Sequence, residues 1–256
     1  MVVPMSYPGG KSGAGVFQTI INLMPPHRVY IEPFLGGGAV LRHKRPASLN
    51  IGIDLDAEVI KAARRGKIAE LGIESFRFEV GDAFEFLLSY PFAGDELVYC
   101  DPPYMHETRG RSDIYRFEMA DRQHVELLAV LRRLPCLVML SGYWTELYGV
   151  SLKGWNADSF QAMSRAGRPR TEWIWYNFPA PVALHDYRYL GRDFRQRDRI
   201  RRKKQRWTDR LRRLPILERQ ALLAAIEESG ILLSPSTMID VISAIPDDAG
   251  RQSITP

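Results

Sequence analysis

The chain has 256 residues, 45% of them hydrophobic and 25% charged, with a formal net charge of +5. This balance excludes a disordered or low-complexity chain, and the length suffices for one domain with a full core plus an appendage. No apolar run reaches the roughly 20 residues a membrane span needs, and no secretory signal pattern opens the chain. The five histidines and two cysteines show no metal-ligand spacing, so no metal is expected. Cys100 and Cys136 both lie in apolar runs and read as reduced core thiols of a cytoplasmic protein.

In chain order, the periodicity predicts a helix over 14–24 and then a strand over 29–34 that runs into Leu35-Gly36-Gly37-Gly38. A helix over 38–44 leads to a strand over 50–54 ending at Asp54, and a helix over 56–70 to a strand over 76–80 that meets Gly81-Asp82-Ala83-Phe84. Next come a helix over 82–90, a strand over 96–101, a helix over 119–134 and a strand over 136–141. The last two strands, 155–163 and 172–178, have only a Ser164–Arg170 turn between them and read as an antiparallel hairpin. Strands alternating with helices predict an α/β fold, a mostly parallel sheet closed by that hairpin. Ligands of such sheets bind beyond the carboxyl ends of the strands, where Asp54, Asp82 and Asp101 all fall.

The fourth strand ends in Asp101-Pro102-Pro103-Tyr104. An amine conjugated to an aromatic ring is a poor nucleophile, because the ring shares its lone pair. Asp101 and the main-chain carbonyl of Pro102 are placed to accept its two N–H bonds, drawing the nitrogen toward a tetrahedral shape. The prolines stiffen the turn and bring no competing N–H. Tyr104 can stack on a base taken out of its helix. The other pieces suit a nucleoside cofactor. The glycine turn lets backbone approach it, and an acid roughly 20 residues later, Asp54, suits ribose hydroxyls. Asp82 is placed for an adenine amino group, with Phe84 against the ring. Taken singly, Asp54 and Asp82 also fit as helix N-caps.

On these motifs residues 5–178 resemble the Dam-type N6-adenine DNA methyltransferases, the alpha group of amino-methyltransferases. Tyr7-Pro8-Gly9-Gly10-Lys11 resembles the family's N-terminal motif, and Glu32-Pro33-Phe34-Leu35-Gly36-Gly37-Gly38 its first cofactor loop. Val138–Tyr143 and Thr171–Phe178 resemble its later strands. The resemblance implies a Rossmann-like methyltransferase sheet and S-adenosylmethionine as cofactor. It implies cofactor contacts from Tyr7, Lys11, Glu32, Phe34, Gly36, Gly38, Asp54, Asp82, Ala83 and Phe84, with Lys11 at the methionine part. It implies catalysis by Asp101, Pro102, Pro103 and Tyr104 on double-stranded DNA, in a bacterial or phage-encoded enzyme; the residues by themselves leave open an N4-cytosine DNA methyltransferase, an RNA adenine methyltransferase or an inactive DNA-binding decoy. One departure stands out. The family commonly inserts a target-recognition domain between the adenine-binding and catalytic motifs, yet Asp82 and Asp101 are nineteen positions apart.

Residues 1–184 are expected to form the catalytic domain and 185–256 a basic helical extension for DNA binding or dimerisation. Between Arg188 and Arg213 thirteen basic residues face three acids, a net of +10 against +5 for the whole chain. Ile200, Trp207, Leu211 and Leu214 recur at helical spacing, so one side can dock on protein while the rest carries charge. A merely solvated helix usually balances its signs, so Arg199, Arg202, Lys203 and Arg206 read as phosphate contacts. Ile216–Glu228 predicts an amphipathic helix with Leu217, Leu222, Leu223 and Ile226 apolar, and Ser234–Ile245 another, leaving a monomer or a homodimer through these helices equally open. Arg109, Arg111 and Arg116 after the catalytic turn, and Arg168 and Arg170 at the hairpin tip, are placed either at a DNA mouth or in solvated loops. Trp144, Trp155, Trp173 and Trp175 read as core or hairpin packing.

Overall fold

The computed structural model describes residues 10–13, 15–65, 75–108, 116–163 and 169–230. Strands β1 (Val29–Glu32), β2 (Leu49–Asp54), β3 (Phe76–Val80), β4 (Glu96–Cys100) and β5 (Leu137–Gly142) pair in parallel. Strands β6 (Asn156–Met163) and β7 (Pro169–Tyr176) form an antiparallel hairpin, and β7 joins the sheet antiparallel to β5. The sheet order is β3-β2-β1-β4-β5-β7-β6. The chain builds outward from β1 to β3, then returns to lay β4 on the other side of β1. That reversal opens a crevice at the carboxyl ends of β1 and β4, where such sheets bind ligands.

The central strands are buried on both faces, which is why they read as unbroken apolar runs. In β4, Leu97 and Tyr99 point into one core layer, while Val98 and Cys100 point into the other. The first layer is closed by α1 (Val16–Ile21), α2 (Ala39–His43) and α3 (Ala57–Arg65) through Ile20, Val40, Leu41, Val59 and Ile60. The second is closed by α4 (Ala83–Ser89), α5 (Asp121–Leu131) and α6 (Glu146–Ser151) through Leu87, Leu127, Leu131 and Tyr148. Both cysteines are buried and free.

The expected strands and helices are present, with ends moved by a few residues. β7 starts at Pro169, three residues before its expected start, because its ladder with β6 runs out to Met163 and Pro169. Helix α6 was not expected. It is six residues long and carries Gly149, so no long period betrays it. Its one local signal is Thr145, whose side chain accepts from the Tyr148 N–H at 3.2 Å. The expected helix over 234–245 and the end of the one over 56–70 lie outside the described residues.

After the hairpin, the chain straps back over α2. Asp186 is buried, accepts from the Arg45 N–H at 2.8 Å and pairs with Arg188 at 2.7 Å. His185 stacks on His27 with ring centroids 3.9 Å apart. The strap leads into α7 (Phe194–Arg213), capped by Asp193 onto Gln196 at 2.8 Å, and then α8 (Ile216–Glu228). Neither helix has a buried residue. Ile200, Leu211 and Leu214 are half-buried, but Trp207 is 56% exposed, so the apolar stripe docks on protein only in part. Trp144, expected in the packing, instead stands 55% exposed at the carboxyl end of β5. It leans on Gly149, which has no side chain to cover it. No helix among the described residues is long and apolar enough to cross a membrane.

Leu97→Ala is expected to cost about 2–5 kcal/mol in chemical denaturation, whereas Leu88→Ala, at a site 73% exposed, costs less than about 0.5 kcal/mol. Equal losses would contradict the assignment of the core. Burial, followed by the nearby Lys44 charge, lowers His185 from 6.5 to about 4. Its contribution to stability is complete above about pH 6.5 and is lost as the pH falls toward 4. Glu32 runs the other way, since burial pushes it up to about 8. The comparison is therefore between wild type and His185→Asn: the wild type's advantage should shrink between pH 7 and pH 4, and a constant difference would contradict the strap's histidine contact.

Candidate active site

A cleft of about 860 Å³, partly open to solvent, lies at the crevice between β1 and β4. Of the residues expected to hold a cofactor, Lys11, Glu32, Phe34, Gly36, Gly38, Asp54, Asp82, Ala83 and Phe84 all line it, beside Asp101 and Pro103. Tyr7 lies outside the described residues. The turn after β1 takes its shape from its glycines. Gly36 and Gly38 have φ of 47° and 57°, the left-handed region that other L-residues avoid. Gly38 donates its N–H back to the Leu35 carbonyl at 2.7 Å.

Asp54 pins this turn from the next strand. Its Oδ2 accepts the Gly36 N–H at 2.8 Å, and its Oδ1 the Asp56 N–H at 2.9 Å. Burial raises its pKa, and those two hydrogen bonds partly offset the shift. Each carboxylate oxygen can accept more than one donor, so Asp54 keeps capacity for a ligand hydroxyl. Asp82 is an N-cap: its Oδ1 accepts from Phe84 at 2.7 Å and Glu85 at 3.1 Å. It lines the cleft as well, so the two readings of this residue coexist. Glu32 faces inward. It accepts from the Tyr30 hydroxyl at 2.9 Å, and burial, with the Asp101 charge adding to it, pushes its pKa up to about 8.

The Asp101–Tyr104 turn is tied down by a buried cation. Lys11 Nζ lies 2.7 Å from Asp101 Oδ1 and 3.4 Å from Glu172 Oε2, and it donates to the Tyr104 hydroxyl. Burial alone would lower the Lys11 pKa, but Asp101 and then Glu172 hold it well above the ordinary value. Ser141, at the end of β5, donates to Asp101 Oδ1 at 2.9 Å. Tyr104 also approaches that oxygen, at 3.3 Å. Asp101 Oδ1 is thus crowded with donors, whereas Oδ2 takes none from a described residue. The Tyr104 ring is buried edge-on against Tyr143, with centroids 4.6 Å apart. Its hydroxyl is occupied by charged partners, so stacking on a base requires the ring to leave this packing.

Several residues here had no sequence expectation. Glu172 sits on β7 among aromatic residues, and a carboxylate inside such a strand was the available signal. Ser141 is signalled only by its place at a strand end. Leu55, Phe117, Met119 and Gln123 complete the cleft wall. The basic residues divide. Arg109, Arg111 and Arg168 lie outside the described residues. Arg116 pairs with Asp56 at 3.0 Å, joining the loop after β2 to the 116–119 segment. Arg170 donates to the Thr108 carbonyl at 2.6 Å, with its guanidinium over the Tyr143 ring. Arg199, Arg202, Lys203 and Arg206 are exposed on α7, and only Arg202 among them has an ion pair with a described residue, to Asp198 at 2.6 Å.

A sheet of order 3-2-1-4-5-7-6 with strand 7 antiparallel, and a cleft at the end of strand 1, decides the architecture. The fold is that of the S-adenosylmethionine-dependent methyltransferases. No family model matches the chain, and no curated protein matches it. Among solved structures, a precorrin 8W decarboxylase from Methanobacterium thermoautotrophicum is similar at 15% identity and TM-score 0.45, over 69% of this chain and 95% of its own. An rRNA methylase from Streptococcus thermophilus is similar at 12% identity and TM-score 0.43, over 62% and 93%. A dimethyladenosine transferase from Plasmodium falciparum is similar at 13% identity and TM-score 0.40, over 62% and 58%. The residues of this methyltransferase-fold cleft fit the cofactor: glycine backbone at the turn, the Asp54 carboxylate at the end of β2, and Leu55 and Phe84 as apolar walls. Asp54→Ala is expected to weaken S-adenosylmethionine binding about tenfold or more in calorimetry; unchanged affinity would contradict the assignment of this cleft.

Proposed function

We propose that the chain is a DNA methyltransferase that modifies the exocyclic N6 amine of adenine at a specific site. The single observation that carries the reading is the state of Asp101: Lys11 and Ser141 fill Oδ1 with donors, and no described residue donates to Oδ2. A carboxylate so held has one oxygen for structure and one for a substrate N–H. When bound, S-adenosylmethionine supplies an electrophilic methyl group on a sulfonium. The cleft residues orient it, with Asp54 toward the ribose and Asp82 and Phe84 toward the adenine. Asp101 Oδ2 and the Pro102 carbonyl accept the two N–H bonds of a flipped-out adenine amine and free its lone pair. The new N–C bond forms as the S–C bond breaks, and the methylated amine then sheds its extra proton readily. Asp101 therefore needs only to accept hydrogen bonds. Orientation and preformed charge supply the rate.

The DNA surface in this reading is α7. Arg199, Arg202, Lys203 and Arg206 follow helical spacing on one exposed face. The Arg202–Asp198 pair is an exposed one and yields readily to phosphate. Because α4 and β4 fill the interval between Asp82 and Asp101, no recognition domain interrupts the sheet there. Base reading falls instead to segments outside the sheet.

Asp101→Ala is expected to lower methyl transfer about 10²–10³-fold or more while leaving cofactor affinity nearly intact. The test is single-molecule sequencing of unmethylated plasmid treated with enzyme and S-adenosylmethionine. N6-methyladenine at one recurrent site supports the proposal. N4-methylcytosine, modification of RNA alone, or no modified base each overturns it. Replacing Arg199 and Lys203 by Ala should weaken DNA binding and reduce the salt slope by about 0.9 for each phosphate that the variant no longer neutralises. An unchanged slope would remove α7 from the interface.

A further inference from the structure

Among the described residues, Lys11 Nζ meets three side-chain oxygens, one through a hydrogen bond and two as ion-pair partners. Two belong to the catalytic turn, Asp101 Oδ1 at 2.7 Å and the Tyr104 hydroxyl. The third is Glu172 Oε2 at 3.4 Å, on β7, an element that contributes nothing to the cofactor cleft. Tyr104 has one proton to donate, and it faces Asp101 Oδ1 at 3.3 Å and Glu172 Oε2 at 3.4 Å. Glu172 is buried, and burial raises its pKa while the Lys11 ammonium beside it works the other way and favours the carboxylate.

We infer that Glu172 is a positioning residue: it holds the Lys11 ammonium off Asp101 Oδ2 and so reserves that oxygen for the substrate amine. This rests on the reading of Asp101 as the acceptor of that amine. Remove the Glu172 charge, and the buried ammonium loses one of its two anionic neighbours. The remaining anionic acceptor within its reach is the other oxygen of Asp101. Lys11 then closes on both oxygens and competes with substrate.

The experiment compares Glu172→Gln, Glu172→Asp, Lys11→Met and Asp101→Ala with wild type. Methyl transfer is followed from tritiated S-adenosylmethionine to plasmid DNA and to RNA, and affinity for S-adenosylhomocysteine is measured by calorimetry. Thermal melts confirm folding, and Glu172→Asp serves should Glu172→Gln fail to fold. Glu172→Gln is expected to lower kcat about tenfold, with KM and cofactor affinity within about threefold of wild type. Glu172→Asp, which restores the charge, should recover part of that activity. Wild-type kcat in Glu172→Gln, or a parallel fall in cofactor affinity, overturns the inference. Lys11→Met, which removes the cation that Glu172 positions, should lower kcat at least as far as Glu172→Gln, and a smaller fall overturns the inference. If Asp101→Ala transfers methyl groups like wild type, the functional reading itself has failed; if only Glu172→Gln is silent, the positioning role has.

Discussion

The site depends on one buried cation. Lys11 comes from the loop before α1, Asp101 and Tyr104 from the turn after β4, and Glu172 from β7. Distant parts of the chain meet on a single ammonium whose side chain is 4% exposed. Removing one member of such a group leaves an uncompensated buried charge, typically at a cost of about 3–5 kcal/mol. Among the described residues, nothing else fixes the N-terminal loop to the end of β4 as firmly. The geometry of the Asp-Pro-Pro-Tyr turn is therefore set from outside the turn, by Lys11 and by Ser141 on the neighbouring strand.

The sheet determines where that cation is needed. Parallel β1, β2 and β4 bring the glycine turn, Asp54 and Asp101 to one edge, and the reversal of strand order between β1 and β4 opens the cleft there. Asp54 braces the glycine turn from β2, Asp82 caps α4 beside it, and Glu32 is driven toward its neutral form underneath. The carboxylates at this edge thus have different tasks, separated by burial and by the donors each one meets.

Much of this was legible in the sequence. Apolar or alternating runs located the five parallel strands, four of them ending at or just before an acid, and the spacing of Gly36, Asp54, Asp82 and Asp101 placed those residues along one edge before any contact was visible. The illegible parts share a cause: they are contacts between residues far apart in the chain. Glu172 reads as one polar position in an aromatic strand until β7 lies beside β5. Ser141 reads as a strand-end serine until Asp101 is opposite it. Trp144 read as packing because tryptophan usually is, yet a short unexpected helix puts Gly149 under it and leaves the ring in solvent. The basic helix was plain from its charge, while the exposure of its Trp207 followed from how little of the helix touches the domain.

The α2–strap contacts tie the basic extension to the sheet domain through Arg188, whose guanidinium donates to the His43 carbonyl at 2.7 Å, and Asp186. Charge outside the sheet and chemistry at its edge are joined by a short, well-bonded segment. The central claim is that the cleft between β1 and β4 holds the methyl donor with its reactive end facing Asp101. A crystal structure with S-adenosylhomocysteine tests it most directly. The account predicts the ribose at Asp54, the adenine between Asp82 and Leu55, and the sulfur turned toward Asp101 Oδ2, with Lys11 still bound to Asp101 and Glu172. A ligand seated elsewhere, or one whose sulfur points away from Asp101, would contradict it.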